Sequence, residues 1–151
     1  MSLPLPIGDY DPSRVVMTLG DIEPKAYGPD TRISISPSGD RFSLMVGQDG
    51  HVVRVKNRAI THTATFTLMR TDPANEKLGE LLKADIDDAL GSAPGIVKLQ
   101  VTDNNGTEKM TAPHAWVARE PDLGYSAAGD TRTWTIAIAN ADVTVGALKL
   151  K

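Results

Sequence analysis

The stretch Ile60-Thr61-His62-Thr63-Ala64-Thr65-Phe66-Thr67-Leu68-Met69, followed by Arg70-Thr71-Asp72-Pro73, decides the fold. His62, Ala64, Phe66 and Leu68 have one parity, and Thr61, Thr63, Thr65 and Thr67 the other. Side chains alternate across a strand, so this is a strand with one apolar and one threonine face. Threonine suits such a face because its β-branch fits the pleat and its hydroxyl tolerates water. The period then changes. Asp72 before Pro73 is an N-cap and N1 pair, since the carboxylate accepts free N–H groups and proline needs no donor there. Leu78, Leu81, Leu82, Ile86 and Leu90 follow at helical spacing, and Gly91 fits the C′ stop. The spacing predicts one amphipathic helix over Pro73 to Leu90, with Glu76, Lys77, Glu80, Lys83, Asp87 and Asp88 largely off its apolar stripe.

Outward in both directions the period returns to two. Val15 to Leu19 reads as a short strand, Asp21 to Asp30 as a loop, and Ile33 and Ile35 as the apolar side of another strand. Pro37-Ser38-Gly39-Asp40 is a turn. Arg41 to Asn57 reads as a hairpin: Phe42, Leu44 and Val46 alternate with Ser43 and Met45, and Val52, Val53 and Val55 lie beyond Gly47-Gln48-Asp49-Gly50. Asp49-Gly50 predicts a type I′ tip. Beyond the helix come a strand at Ile96 to Val101, a turn at Asp103-Asn104-Asn105-Gly106, strands at Lys109 to Thr111 and Ala115 to Arg119, and a loop at Pro121 to Asp130. A long strand at Thr131 to Ala139 and a last one at Val143 to Leu148 complete the chain. Many strands, one helix, then more strands predict a mainly β protein. The architecture is an antiparallel β-sandwich or barrel with one flanking α-helix, at about residues 73–90. Residues 1–12, with Pro4, Pro6 and Pro12, read as an extended N-terminal arm, and 13–151 as a single β domain.

Composition narrows the function classes. At 151 residues with 40% hydrophobic side chains, the chain can bury a core without staples. A net charge of −3 lacks the surplus that tight nucleic-acid binding needs. There is no cysteine, which excludes disulfides, thiol nucleophiles and Cys-based zinc sites. No apolar run reaches the 18 or so residues of a membrane span, and Met1 to Pro12 does not read as a signal peptide.

Residues that could carry chemistry do not converge. His51, His62 and His114 form no HxH, HxxxH or HExxH pair. His62 lies on an apolar face, where a hydrogen-bonded core histidine is the ordinary reading. Asp85 and Asp88 share a helix face; without a partnering base or nucleophile they read as solvated. Asp103-Asn104-Asn105-Gly106 lacks the glycine and glutamate positions of a calcium loop. No P-loop, GxGxxG or GxSxG motif is present. No catalytic, cofactor-binding or metal residue is assigned.

A set of short motifs runs in order along the chain: Gly47-Gln48-Asp49-Gly50-His51-Val52, the Thr63 to Met69 strand, and Thr71-Asp72-Pro73-Ala74-Asn75 with Leu78. Further on come Ala115-Trp116-Val117, then Pro121-Asp122-Leu123 with Tyr125, and Thr133-Trp134-Thr135-Ile136. The ordered set resembles the tail-tube proteins of contractile-tailed phages and prophages. Asp72 stands where the family often has serine, and both cap helices. The resemblance implies a structural, non-enzymatic virion subunit, made in the host bacterial cytoplasm, with no cofactor and no membrane. Six copies would form a ring whose inward strands join into one β-barrel, and rings would stack inside a sheath. Partners would be further copies of the chain, the sheath protein and tail-tip or baseplate proteins, with DNA passing through without tight binding. A tube terminator, a type VI secretion tube subunit and a small β-sandwich binding module are the alternatives.

Two sets of residues follow as expectations. Lumen-facing candidates are Thr61, Thr63, Thr65 and Thr67 in one strand and Thr133 and Thr135 in another. The assembly hairpin comprises Phe42, Leu44, Met45, Val46, Asp49, Gly50, Val52 and Val53. Its strands are apolar on both sides, whereas a hairpin packed only on its own domain would have one wet face.

Overall fold

Nine strands, a 3-10 turn and an α-helix follow one another along the residues that the computed structural model describes, 7–28, 33–127 and 129–150. The 3-10 turn, Pro12–Arg14, is started by Asp11, whose carboxylate accepts from the Ser13 N–H. The strands are β1 (Val15–Leu19), β2 (Ile33–Pro37), β3 (Phe42–Val46), β4 (Val52–Lys56), β5 (His62–Met69), β6 (Val97–Asp103), β7 (Lys109–Arg119), β8 (Thr131–Ala139) and β9 (Asp142–Thr144). The helix, α1, spans Ala74–Ile86 between β5 and β6.

Seven strands make one curled antiparallel sheet, in the order β1-β6-β7-β8-β5-β2 with β9 paired to β7. The remaining two, β3 and β4, form a separate two-stranded sheet. The fold is thus mainly β with one flanking helix, as the alternation of periods predicts. One face of the curled sheet supplies the core: Met17 and Leu19, Ala64, Phe66 and Leu68, Leu99, Met110 and Ala112, and Trp134, Ile136 and Ile138 are all buried. Register keeps these residues in phase, with Phe66 opposite Trp134 and Ala64 opposite Ile136. A slip of one residue would turn every one of them to water.

Where the sequence predicts two strands around Pro113, there is one. Val97 pairs with Ala115 and Leu99 with Ala112, so one extra β7 residue is accommodated between them. The bulge reverses the parity: Met110 and Ala112 are buried before it, Ala115 and Val117 after it. Pro113, with no N–H to give to a ladder, occupies the place where pairing is interrupted.

The helix is shorter than predicted. It ends at Ile86, and Leu90 lies beyond it at 93% exposure, outside any stripe. The Asp88 carboxylate accepts from the backbone N–H of Leu90 (3.2 Å) and Ala93 (2.8 Å) and from the Ser92 hydroxyl (3.2 Å). These bonds compete with continued helix, and Asp85, Asp87 and Asp88 together oppose the negative end of the helix dipole. Gly91, at φ +70, therefore sits in the loop rather than at the helix stop. The stripe that packs is Leu78, fully buried, with Leu81 and Leu82 half-buried; Ile86 is exposed.

The tip of the hairpin differs in type from expectation. At the β3–β4 tip only Gly50 has positive φ (+88); Asp49 does not. The Gly50 N–H donates to the Gly47 carbonyl (3.1 Å), and the Gly47 N–H donates to the His51 carbonyl (2.8 Å). This is a type I turn followed by a left-handed glycine, the usual three-residue alternative to type I′. The Asp103–Gly106 turn, by contrast, has no residue at positive φ. There Gly106 is required by contact instead, because a Cβ would run into the Ala147 carbonyl. The predicted last strand is correspondingly shorter. After β9 the chain leaves the ladder and returns to that turn through a bridge between Gly106 and Leu148.

Residues 1–6 of the N-terminal arm lie outside the described residues. Its continuation is anchored: Gly8 bridges Leu150, and buried Asn105 both accepts from the Asp11 N–H (3.0 Å) and donates to the Asp11 carbonyl (2.8 Å).

Candidate functional site

The hairpin β3–β4 carries the exposed apolar surface. Its register places Phe42 opposite Lys56, Leu44 opposite Arg54, Met45 opposite Val53 and Val46 opposite Val52. Opposed residues share a face in an antiparallel pair. One face therefore holds Met45, Val53, Val55 and Ser43. The other holds Val46 and Val52 beside the turn, then Leu44 opposite Arg54, and Phe42 opposite Lys56 at the open end. Every residue of both strands is exposed, Leu44 at 68% and Met45 at 61%. The Arg54 guanidinium lies over the Phe42 ring at 4.3 Å. At the tip, Asp49 Oδ2 lies 2.6 Å from His51 Nδ1, and His51 holds the Asp49 carboxyl below the ordinary aspartate value through its backbone and ring. All eight hairpin residues singled out in the sequence thus belong to this element. Arg54, Lys56 and Val55 were missed there; carrying parity through the turn and counting charge along the segment would have found them.

The threonine face is a second surface. Thr65 pairs with Thr135 and Thr67 with Thr133, so four candidates form two cross-strand pairs on the face opposite the core. The Thr67 and Thr133 hydroxyls are 3.0 Å apart. Thr63 faces Ala137, and Ser34 and Ser36 continue the surface through Thr65 and Thr63. Thr61 falls one residue before β5, where its backbone brackets Ser38.

Motif residues far apart in sequence meet at the start of α1. The Asp72 carboxylate is buried and accepts from the backbone N–H groups of Lys25 (3.0 Å), Ala26 (2.8 Å) and Ala74 (2.9 Å). Burial raises its pKa, yet these bonds outweigh burial and hold it below the ordinary value. Asn75 donates to the Met69 carbonyl (2.8 Å) and accepts from the Trp134 indole N–H (2.9 Å). The helix start is thereby tied to β5 and β8. Nearby, Tyr125 lies against two guanidinium groups, Arg70 at 4.9 Å and Arg132 at 5.5 Å. These contacts hold structure together and present no nucleophile beside a base.

His62 is buried as expected, but its Nδ1 has no hydrogen-bond partner among the described residues. Burial, with Arg41 adding a smaller repulsion, lowers its pKa. It lies in the lining of an open cavity of about 640 Å³ at one end of the curled sheet. Among the described residues no group of three or more His, Cys, Asp or Glu could hold a metal ion, and no helix is long and apolar enough to cross a membrane. Asp85 and Asp88 do not act as a pair, because Asp88 is engaged by the loop after the helix.

The family model of the bacteriophage PhiTE tail tube protein matches residues 23–146. The chain belongs to the phage tail-tube protein family. The match takes in the hairpin, the helix and every strand of the curled sheet except β1. Membership makes this a structural protein of the virion tail, and the motifs at Asp49-Gly50, Asp72 to Asn75 and Trp134 are the points where its hairpin and helix are fixed. The tail-tube chain is 30% identical over 114 residues to structural protein ORF10 of Pseudomonas phage KPP10, a match covering 76% of this chain and 65% of that relative's length. Its fold is shared by a chain of the extended sheath–tube complex of the extracellular contractile injection system PVC, with a TM-score of 0.62 at 12% identity over 90% of this chain and 91% of that one. A chain of the native gene transfer agent virion also scores 0.62, at 12% identity over 91% and 100%. The anti-feeding prophage tube-terminating cap scores 0.60, at 13% identity over 95% and 94%.

Proposed function

We propose that this tail-tube protein is the repeating subunit of a contractile tail tube, acting as a conduit and not as a catalyst. Six copies close into a ring, rings stack within a sheath, and the threonine faces of β5 and β8 line the channel through which the genome leaves. The observation that carries this reading is the β3–β4 hairpin: a separate two-stranded sheet with apolar residues exposed on both faces. Such a patch is stable in water when a partner covers it. The lumen assignment rests on the surface around Thr65, Thr67 and Thr133, which is hydroxylated; its one flanking cation, Arg119 opposite Thr135, lies 3.7 Å from the Asp122 carboxylate. A channel of that kind neutralises few phosphates and so does not retain DNA.

Negative-stain electron microscopy and sedimentation of the purified protein test the proposal. Open-ended tubes of uniform bore with six-fold rings are expected. Single rings that do not stack would instead point to a terminator, a role held by one protein of the same fold. A strict monomer at high concentration would overturn the reading.

A further inference from the structure

We infer that the Phe42 face of the hairpin docks into the open end of the curled sheet of a second copy of this chain. This rests on self-assembly and names the surface that receives the hairpin. β1 and β2 are the two ends of the strand order, and Val15 of one and Ile35 of the other both line the 640 Å³ cavity. The curl is therefore left open between its two edge strands. Tyr10, Val101, Val145 and Leu148 extend an apolar lining, and Val145 is 82% exposed. The buried, unpartnered His62 Nδ1 belongs to the same lining. Buried polar atoms are ordinarily paired, so this one marks a place where an incoming chain can bring a donor.

Charge selects the occupant. Residues 41–58 contain Arg41, Arg54, Lys56 and Arg58 against Asp49 as the one carboxylate, which leaves twelve cations against eighteen carboxylates on the rest of the chain. The hairpin is a basic element on an acidic protein. Arg54 and Lys56 lie on the Phe42 face, beside Leu44 and Phe42, with the aliphatic pair Val46 and Val52 ahead of them at the turn. The cavity repeats that pattern in complement: an apolar interior with Asp103 and Glu108 in its lining, Lys109 being the cation there. Among the described residues Arg54 and Lys56 pair with no carboxylate, and Asp103 and Glu108 pair with no cation. Seating the aliphatic group inside brings the two cations toward the carboxylates. Donor and receiver are different surfaces of one chain, so a copy that gives its hairpin to one neighbour can receive that of another, which makes the proposed contact heterologous. Repeated, it builds rings or filaments rather than a closed two-fold dimer.

The lack of cysteine makes a cross-linking test clean. The full-length chain is prepared as Leu44→Cys, as Val145→Cys and as the double variant, assembled and then mildly oxidised. The double variant is expected to give a disulfide ladder extending beyond dimers, while each single variant stops at dimers. Wild-type tubes with no ladder from assembled double variant would overturn the docking assignment and leave the tube reading standing. A disulfide closed within one chain would overturn it too, by placing the hairpin in its own cavity. Wild-type protein that forms no rings or tubes would overturn both. Should the cysteine variants not assemble, the charge pair decides. Lys56→Glu should raise the concentration needed for assembly by about tenfold or more, and Glu108→Lys in the same chain should restore it. Failure of that restoration would overturn the assignment.

Discussion

Leu78 carries more of the helix's anchoring than any other residue of the leucine stripe. It is fully buried, whereas Leu82 is partly exposed, so the two truncations separate. Leu78→Ala should cost about 2–5 kcal/mol, the usual range for a buried leucine. Leu82→Ala should cost clearly less, and thermal unfolding of the two variants checks the order. Asp72 is the polar counterpart. Three backbone N–H groups depend on its carboxylate, and hydrogen bonds to a charged group are each worth about 1.5–3 kcal/mol. Its folded pKa is lowered, so its stabilisation is fully present above the ordinary aspartate value and is lost as pH falls through the lower folded value. Asp72→Asn should therefore be less stable than wild type near neutrality, with the gap closing in urea titrations as pH falls from the ordinary aspartate value through the lowered folded one. His62 contributes a separate slope. Its folded pKa is also lowered, so the unfolded chain takes up the proton first, and stability drops as pH falls from the ordinary histidine value toward the folded one. Asp87 and Asp88 are not equivalent: Asp87→Asn should change stability only slightly, and upward, by removing a charge from the negative end of the helix, while Asp88→Asn should weaken protection of the Leu90 and Ala93 amides in hydrogen exchange.

At the scale of elements, the hairpin separates folding from assembly. Its two-stranded sheet is distinct from the curled sheet that holds the core. Met45→Asp together with Val53→Asp should therefore leave the melting temperature of the monomer nearly unchanged while abolishing rings and tubes. Normal tubes from that variant would show that the Met45 face is not an assembly surface. The elements most legible in the sequence were those with clean periodicity. β5 and β8 repeat every two residues without interruption, and β1 has the bounds its pattern predicts. Parity failed where an extra residue was inserted, at the β7 bulge, because a pattern count sees two short segments where the ladder has one bent strand. The helix end was misplaced because Leu90 kept the period while Asp88 had already turned the chain away. The hairpin was legible as an element with two apolar faces. Its basic end and the acidic cavity were not, since the cavity is assembled from Tyr10, β1, β2, β5, β6, β7, β9 and the segment after β9.

For the whole molecule, the curled sheet leaves two edge strands and an open cavity, and it carries a hairpin detached from its own core. Exposed edges and apolar patches favour association unless something covers them. In the proposed ring each copy would cover its neighbour's edge, and the surface left facing inward would be the row of threonines. The isolated chain is proposed to build a tube. The most direct measurement is electron microscopy of the purified, concentrated protein with classification of end-on views. Six-fold rings stacked into open tubes of constant bore are predicted. A population of single monomers at every concentration, with no ring in any view, would contradict the account.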